Sequence, residues 1–108
     1  MDGIERRLRM VLLNDLYGAL MTDKRSEVLR LYLEEDLSLQ EIAQIAGVSR
    51  QAVHDAILRA EARLEGYESA LGLLAKRERR ARLIAEARER LDDRAALSAL
   101  LDQIENTD

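Results

Sequence analysis

The fold of this 108-residue chain is decided by one stretch, SLQEIAQIAGVSRQAVHDAI, which spans residues 38–57. Its first residue, Ser38, stands three positions before Glu41, which is the spacing of a capping box at the start of a helix. Gly47 lies where a tight turn between two helices requires positive φ, and Ser49 is placed to cap the helix that follows. The spacing therefore predicts a helix-turn-helix motif over 38–57.

The apolar residues of this stretch fit the same motif, because two helices that cross steeply need small or apolar side chains where they meet. Val48 is expected to fill the space behind the turn. Val53 and Ile57 are expected to face inward from the second helix. The first helix is predicted to bury one face, made of Leu39, Ile42, Ala43 and Ala46.

Outward from the motif, the other segments of the chain also favour helix. Proline is absent, the abundant Ala, Leu, Arg and Glu are strong helix formers, and no strand-like alternation lasts four residues. A first helix is predicted from Ile4 to Leu20, and a second helix is expected to begin at Thr22 and to end in residues 34–36. The buried stripe of the first helix is predicted to contain Leu8, Val11, Leu12, Asp15 or Leu16, and Ala19 or Leu20.

The helix that begins after Ser49 shows no clear stop. It is predicted to continue into a coiled-coil-like seam made of Leu64, Tyr67, Leu71 and Leu74. Gly66 and Gly72 also allow a bend or a close helix crossing in this stretch. A last helix, capped by Asp92 or Asp93, is expected to carry Leu97, Leu100, Leu101 and Ile104. The predicted architecture is all-α. A helix-turn-helix domain over 1–75 is followed by a charged extension over 76–108, which consists of a long charged helix and a short C-terminal helix.

Composition restricts the chemistry that the chain can perform. It has no cysteine and one histidine, which excludes disulfides, thiolate nucleophiles and Cys- or His-rich metal centres. It has no glycine loop for phosphates and no metal-ligand spacing. No apolar run approaches the ~18 residues of a membrane-spanning helix. We therefore expect a soluble, cytoplasmic protein that is not an enzyme, needs no cofactor and does not insert into a membrane.

The second helix of the motif carries candidate DNA-reading residues. In such proteins the outward side chains reach base edges while the start of the helix contacts the backbone. Arg50 suits a guanine edge, Gln51 an adenine edge and the Ser49 hydroxyl a phosphate. However, residues 49–65 hold three arginines against three acids, and the chain has a net charge of −4. The same residues therefore also fit an ordinary solvated helix face. The other residues of this second helix that are predicted to face outward are His54, Asp55 and Arg59.

The strongest positive charge lies in residues 76–90, which hold seven basic and three acidic residues, whereas 1–75 and 91–108 each carry a net charge of −4. This density suits contact with a nucleic-acid backbone. Two alternatives remain open: a solvated helix face with internal ion pairs, and pairing with acidic segments of a second subunit. The candidate contacts to the nucleic-acid backbone are Lys76, Arg77, Arg79, Arg80 and Arg82.

The stretch VSRQAVHD over 48–55, with LYLEEDL over 31–37 before it and EARLEGYE over 61–68 after it, resembles the bacterial YlxM-like proteins. The resemblance covers about Leu8 to Lys76. A more distant similarity links VSR at 48–50 to the promoter-reading C-terminal region of sigma factors. The family resemblance implies a helix-turn-helix protein linked to the signal recognition particle (SRP), which targets membrane proteins. The motif positions that carry over are Ser49, Arg50, Gln51 and Arg59.

Two functions follow as hypotheses. The first is a non-enzymatic accessory protein of the SRP pathway that binds the SRP GTPase, its RNA, or both. The alternative is a transcriptional regulator that binds a specific DNA sequence through the helix-turn-helix. Under either hypothesis, the apolar surface of the seam and of the last helix predicts a homodimer. The alternative is a monomer in which the last helix folds back on the core.

Overall fold

The computed structural model of the protein describes residues 3–91 and 93–107. In these ranges the chain forms six α-helices, one short 3-10 helix at Gly18–Leu20 and no β-strand. The all-α prediction is therefore confirmed. The helices are α1 (Gly3–Tyr17), α2 (Lys24–Leu33), α3 (Leu39–Ala46), α4 (Arg50–Leu71), α5 (Leu73–Glu89) and α6 (Arg94–Glu105).

The chain divides into two compact units, Met1–Leu71 and Gly72–Asp108. The division falls at Gly72, whose φ of 64° places it in the left-handed region that glycine adopts most easily. The long α4 therefore stops at Leu71, and the predicted seam is interrupted at Gly72, one of the two glycines at which the sequence allows a bend. Whether 1–75 and 76–108 act as separate domains stays a prediction.

The core of the first unit gathers around α4, which packs against α1, α2 and α3. Burial of this apolar surface supplies the main favourable contribution to folding. The inward positions predicted for α4, Val53 and Ile57, are confirmed. The buried residues of the four helices are Met10, Leu13, Tyr17, Val28, Leu29, Ile42, Ala43, Val53, Ile57, Ala60 and Leu64.

Helix α1 buries a different face from the predicted one. Leu13 is fully buried, whereas Leu8, a member of the predicted stripe, is 57% exposed. The helix has apolar residues on several sides, and the side that contacts α4 is fixed by Tyr17. The Tyr17 ring lies 5.9 Å from the Tyr67 ring, and its hydroxyl donates a 2.6 Å hydrogen bond to Glu68. A buried tyrosine needs such a partner for its hydroxyl.

The start of α2 also differs from the prediction. Asp23, not Thr22, caps the helix, because its carboxylate accepts hydrogen bonds from the backbone N–H groups of Arg25 and Ser26. A carboxylate at this position also interacts favourably with the positive end of the helix dipole.

The second unit is a pair of helices, α5 and α6, with a small core. Leu83, Ala87 and Leu100 are buried, and Leu97 and Ile104 pack against them. Asp93 caps α6 through a 3.1 Å hydrogen bond from the Ala96 N–H. The other predicted cap, Asp92, lies outside the described residues. No helix among residues 3–91 and 93–107 is long and apolar enough to cross a membrane.

Candidate nucleic-acid interface

The helix-turn-helix forms as its sequence predicts. The Glu41 N–H donates to Ser38 Oγ and the Ser38 N–H donates to the Glu41 carboxylate, each over 3.1 Å. Gly47 adopts φ 68° and ends α3, and the Val48 N–H returns to the Ala43 carbonyl over 3.1 Å. Ser49 Oγ then accepts the Ala52 N–H over 3.0 Å and caps α4. These bonds satisfy backbone groups that the ends of two helices would otherwise leave unpaired.

The predicted DNA-reading residues lie at the start of α4 and over its first three turns, and all of them are exposed. They share this surface with the apolar side chain of Leu58, which the sequence reasoning did not single out. The structure therefore places these side chains where a ligand can reach them, which is necessary for a reading helix but equally true of a solvated face. They are Ser49, Arg50, Gln51, His54 and Arg59.

Asp55 engages two of these residues. Its Oδ1 accepts a 3.0 Å hydrogen bond from the Gln51 amide, and the same oxygen lies 3.8 Å from Nδ1 of His54. An amide held in this way must break a bond before it can read a base edge. The carboxylate also stands on the surface that would face DNA phosphates, which repel it. This part of the surface is therefore poorly suited to tight duplex binding.

The turn exposes apolar residues that the sequence placed in the interior. Val48 is 49% exposed instead of filling the space behind the turn, and Ala46 is exposed as well. Both line an open groove of 580 Å³ beside α2, together with Ile45 and Ala52. The prediction for these two residues is wrong because the turn directs Val48 outward, and the buried positions Ala43 and Val53 lie where the helices meet.

Six of the eight arginines in residues 3–71 bind carboxylates. From α1, Arg6 pairs with Glu61, and Arg9 donates to both oxygens of Glu65 over 2.5 and 2.9 Å. The hydrogen bond from Arg9 lowers the pKa of Glu65 below its usual value of 4.5. These pairs join α1 to α4, so their cations are not free for a ligand. The other pairs are Arg7–Asp36, Arg25–Asp23, Arg30–Glu27, Arg30–Glu35 and Arg63–Asp23.

A smaller cleft of 220 Å³ lies beside His54 and is lined by Arg6, Arg7 and Tyr32 among others. The Arg7 guanidinium stacks 4.6 Å from the centre of the Tyr32 ring and donates to the Tyr32 carbonyl over 2.8 Å. Its position is therefore structural. In the part of the chain that the structure describes, no three His, Cys, Asp or Glu side chains gather to hold a metal ion.

The basic segment, residues 76–90, differs from the first unit in that its side chains form no ion pair with the described residues. Residues 76–89 belong to α5, where Lys76, Arg77, Arg79 and Arg82 are exposed. Across 72–91 and 93–107 no ion pair forms. Arg80 alone among the five candidates has a structural contact, since it is partly buried and donates a 3.0 Å hydrogen bond to the Thr107 carbonyl. The five residues do not form one stripe, because their spacing distributes them around the helix.

Two of the basic residues face a cleft within the second unit. Lys76 and Arg79 line a space of 370 Å³ whose other side is formed by residues near the end of α6, namely Gln103, Asn106 and Thr107. Sequence reasoning missed the α6 residues, because uncharged amides on a helix carry no periodic or charge signal. Only the packing of α6 on α5 brings them opposite the cations.

Comparison with known proteins extends the resemblance beyond residue 76. Residues 4–104 match the UPF0122 family model, described as "helix-turn-helix protein, YlxM / p13 like". A UPF0122 protein of Symbiobacterium thermophilum is 54% identical over 91 residues, which cover 84% of each chain. A UPF0122 protein of Halalkalibacterium halodurans is 43% identical over 97% of this chain and 96% of its own. A third UPF0122 protein, from Geobacillus kaustophilus, is 44% identical over 97% of this chain and 99% of its own. The similarity therefore includes α5 and α6.

Proposed function

The chain belongs to the UPF0122 family of YlxM / p13-like helix-turn-helix proteins, and from that membership we propose that it is a non-enzymatic accessory protein of the SRP pathway. It acts in the cytoplasm by binding, with the SRP RNA as its ligand and the SRP GTPase as the protein that it meets on that RNA. The resemblance to YlxM-like proteins supports the SRP assignment. The charge arrangement of α5 supports RNA as the ligand.

The observation that carries the proposal is the set of exposed basic residues on α5. Lys76, Arg77, Arg79 and Arg82 are solvent-exposed and form no ion pair with any described residue. A cation that is not already paired releases phosphate counterions on binding at no cost of breaking an internal bond. The first unit offers few such cations, because most of its arginines are held by carboxylates.

The direct test is binding of the full chain to SRP RNA across a range of salt concentrations. With four free cations, the slope of log K against log salt is expected to be about −3. The affinity should then fall on the order of 50-fold between about 50 and 200 mM salt. An unrelated RNA of equal length is the control. Equal affinity for both RNAs contradicts the SRP assignment, and a slope near zero contradicts nucleic-acid binding by α5.

The protein partner requires its own measurement. The tagged full chain should enrich SRP RNA, and with it the SRP GTPase, from a lysate at near-physiological salt. Treatment of the same lysate with ribonuclease separates direct from RNA-mediated capture of the GTPase. Recovery of neither component in the untreated lysate contradicts the proposal.

The second candidate function is sequence-specific DNA binding, which the well-formed turn at Gly47 and the exposed Arg50 favour. It predicts that selection from random duplexes returns a consensus sequence. Replacing Arg50 with alanine should then weaken binding to that sequence by ~1–3 kcal/mol. Arg59→Ala, three turns along the helix, should weaken all sequences equally if Arg59 contacts phosphate. If the selection returns no consensus sequence, sequence-specific DNA binding is contradicted.

The proposal includes a homodimer. Leu71 and Leu101 are each about half exposed, at 48% and 47%, and association covers such apolar surface. Sedimentation velocity over a wide range of concentrations should show a rise in mass from monomer to dimer. A mass that stays that of the monomer at every concentration contradicts this part of the proposal.

A further inference from the structure

We propose that the cleft between α5 and α6 binds the ribose–phosphate backbone of RNA and distinguishes it from DNA through the 2′-hydroxyl. Lys76 and Arg79 hold a phosphate, while Gln103 and Asn106 bond the hydroxyl of the adjoining ribose. This inference rests on the proposed function, since it assigns a selectivity to the nucleic-acid site of α5.

The cationic side of the cleft suits a phosphate. Lys76 and Arg79 lie three residues apart on α5, so they are neighbours on one side of the helix. Both are exposed, and neither forms an ion pair within the described residues. Charge-assisted hydrogen bonds from ammonium and guanidinium groups to phosphate oxygens are the strong kind. The acidic residues Asp102 and Glu105 of α6 are absent from the lining of the cleft.

The opposite side of the cleft is polar and uncharged. The amide of Gln103 and the amide of Asn106 each offer two donors and an acceptor, and no described residue bonds to either side chain. Thr107 Oγ1 donates to the Gln103 carbonyl over 2.7 Å, which leaves its oxygen able to accept. A ribose hydroxyl both donates and accepts, so amides and a hydroxyl are suitable partners for it.

The two sides of the cleft are held together, so the site exists before a ligand arrives. Arg80 of α5 donates to the Thr107 carbonyl over 3.0 Å and ties the end of α6 to the basic helix. Beneath it, Leu83 and Leu100 pack in the small core. The volume of 370 Å³ lies within the range of small-ligand sites, ~300–1,000 Å³.

The same unit has no aromatic side chain on which an unpaired base could stack. All three tyrosines of the chain are at positions 17, 32 and 67, and the chain has no Phe or Trp. Base stacking on aromatic rings is a main source of single-strand affinity in many RNA-binding proteins. A site without aromatic residues depends on the backbone, and there the 2′-hydroxyl is the group that separates RNA from DNA.

The experiment compares a single-stranded RNA with the DNA of the same base sequence, for the full chain and its variants. The wild type is expected to prefer RNA. The Gln103→Ala, Asn106→Ala double variant should lose most of that preference, with RNA affinity reduced about fivefold to tenfold and DNA affinity unchanged. For this variant the slope of log K against log salt should equal that of the wild type, because no charge is removed. Gln103→Ala alone, which places a strong helix former on an exposed helix position, should lose part of the preference and guards against misfolding.

Matched controls separate the cleft from the charge of α5. Lys76→Ala, Arg79→Ala should reduce the slope of log K against log salt by about 1.5 for both nucleic acids and lower affinity more than Arg77→Ala, Arg82→Ala, which removes the same charge outside the cleft. Gln44→Ala on α3 should leave both affinities unchanged. An unaltered RNA-to-DNA ratio in the amide variants, with wild-type RNA binding intact, overturns the inference and leaves the proposed function standing. A wild type that binds no RNA contradicts both.

Discussion

In Met1–Leu71 six arginines face carboxylates, whereas across 72–91 and 93–107 the basic side chains form no ion pair. The sequence explains the contrast, because the first 75 residues carry thirteen acids against nine basic residues and 76–90 carry three against seven. Where acids are in excess, six of the eight arginines find a carboxylate partner. Where cations are in excess, most of them remain available to an external anion.

The comparison changes how the helix-turn-helix is understood. In the first unit the arginines of α1 hold α4 in place, and near the turn Asp55 holds Gln51. The motif is therefore well built but offers few free positive charges. In the second unit the small α5–α6 core carries a surface rich in free cations. A helix-turn-helix fold does not by itself make a DNA reader, and among the described residues most of the exposed cations that form no ion pair lie outside the motif.

The largest expected effect concerns the core that supports the ion pairs of the first unit. Leu13→Ala should reduce the free energy of unfolding by ~2–5 kcal/mol, because Leu13 is fully buried and its truncation leaves a cavity. Leu8→Ala, on the exposed side of the same helix, should change it by no more than ~0.5 kcal/mol. Urea unfolding of both variants provides the measurement. A larger loss for Leu8→Ala than for Leu13→Ala would mean that α1 packs on the face the sequence predicted.

An effect of intermediate size is expected from two arginine variants. One removes an arginine that forms an ion pair inside the first unit, and the other removes an arginine that is proposed to bind RNA. Arg9→Ala should lower the free energy of unfolding by up to ~1 kcal/mol, since it removes a bidentate pair that joins α1 to α4. Arg79→Ala should leave stability within ~0.5 kcal/mol while weakening RNA binding. Urea midpoints and RNA titrations on the same preparations give both quantities. A larger stability loss for Arg79→Ala than for Arg9→Ala would reverse the comparison.

The smallest expected effect is a dependence on pH. The pKa of Glu65 is lowered by the hydrogen bond from Arg9, so the pair stabilises the fold at pH values above 4.5 and loses that contribution as pH falls and the carboxyl is protonated. The wild type should exceed Glu65→Gln in stability by less than ~1 kcal/mol near neutral pH. The difference should shrink toward zero as the pH falls below 4.5 and through the lowered pKa of Glu65. Urea midpoints of the two proteins test it, and a constant difference over this range would rule out the pair as its source.

Much of the fold could be predicted because local signals determine it. The capping box of Ser38 and Glu41, the positive φ of Gly47 and the cap at Ser49 each depend on a few consecutive residues, and all three are confirmed. The inward positions Val53 and Ile57 followed from helical periodicity. Such signals depend on backbone hydrogen bonding, which is the same in every protein.

The predictions that were wrong concern residues whose burial depends on a neighbouring helix or on the backbone conformation of a turn. Helix α1 is apolar on several sides, so periodicity could not choose between Leu8 and Leu13 before the position of α4 was known. Val48 faces outward because the turn directs it there, and apolar character alone could not show this. Gly72 interrupts the seam through its backbone conformation, although a glycine inside a helix can also be tolerated. The roles of Arg50, Gln51 and Lys76 stay predictions.

We propose that the cations of α5 are free for nucleic acid, whereas most arginines of the first unit are held by carboxylates. The most direct test is the salt dependence of RNA binding by two double variants that each remove two positive charges. Lys76→Ala, Arg79→Ala should reduce the slope of log K against log salt by about 1.5, whereas Arg25→Ala, Arg30→Ala should leave it within about 0.5 of the wild type. Equal reductions in the two variants would contradict the claim.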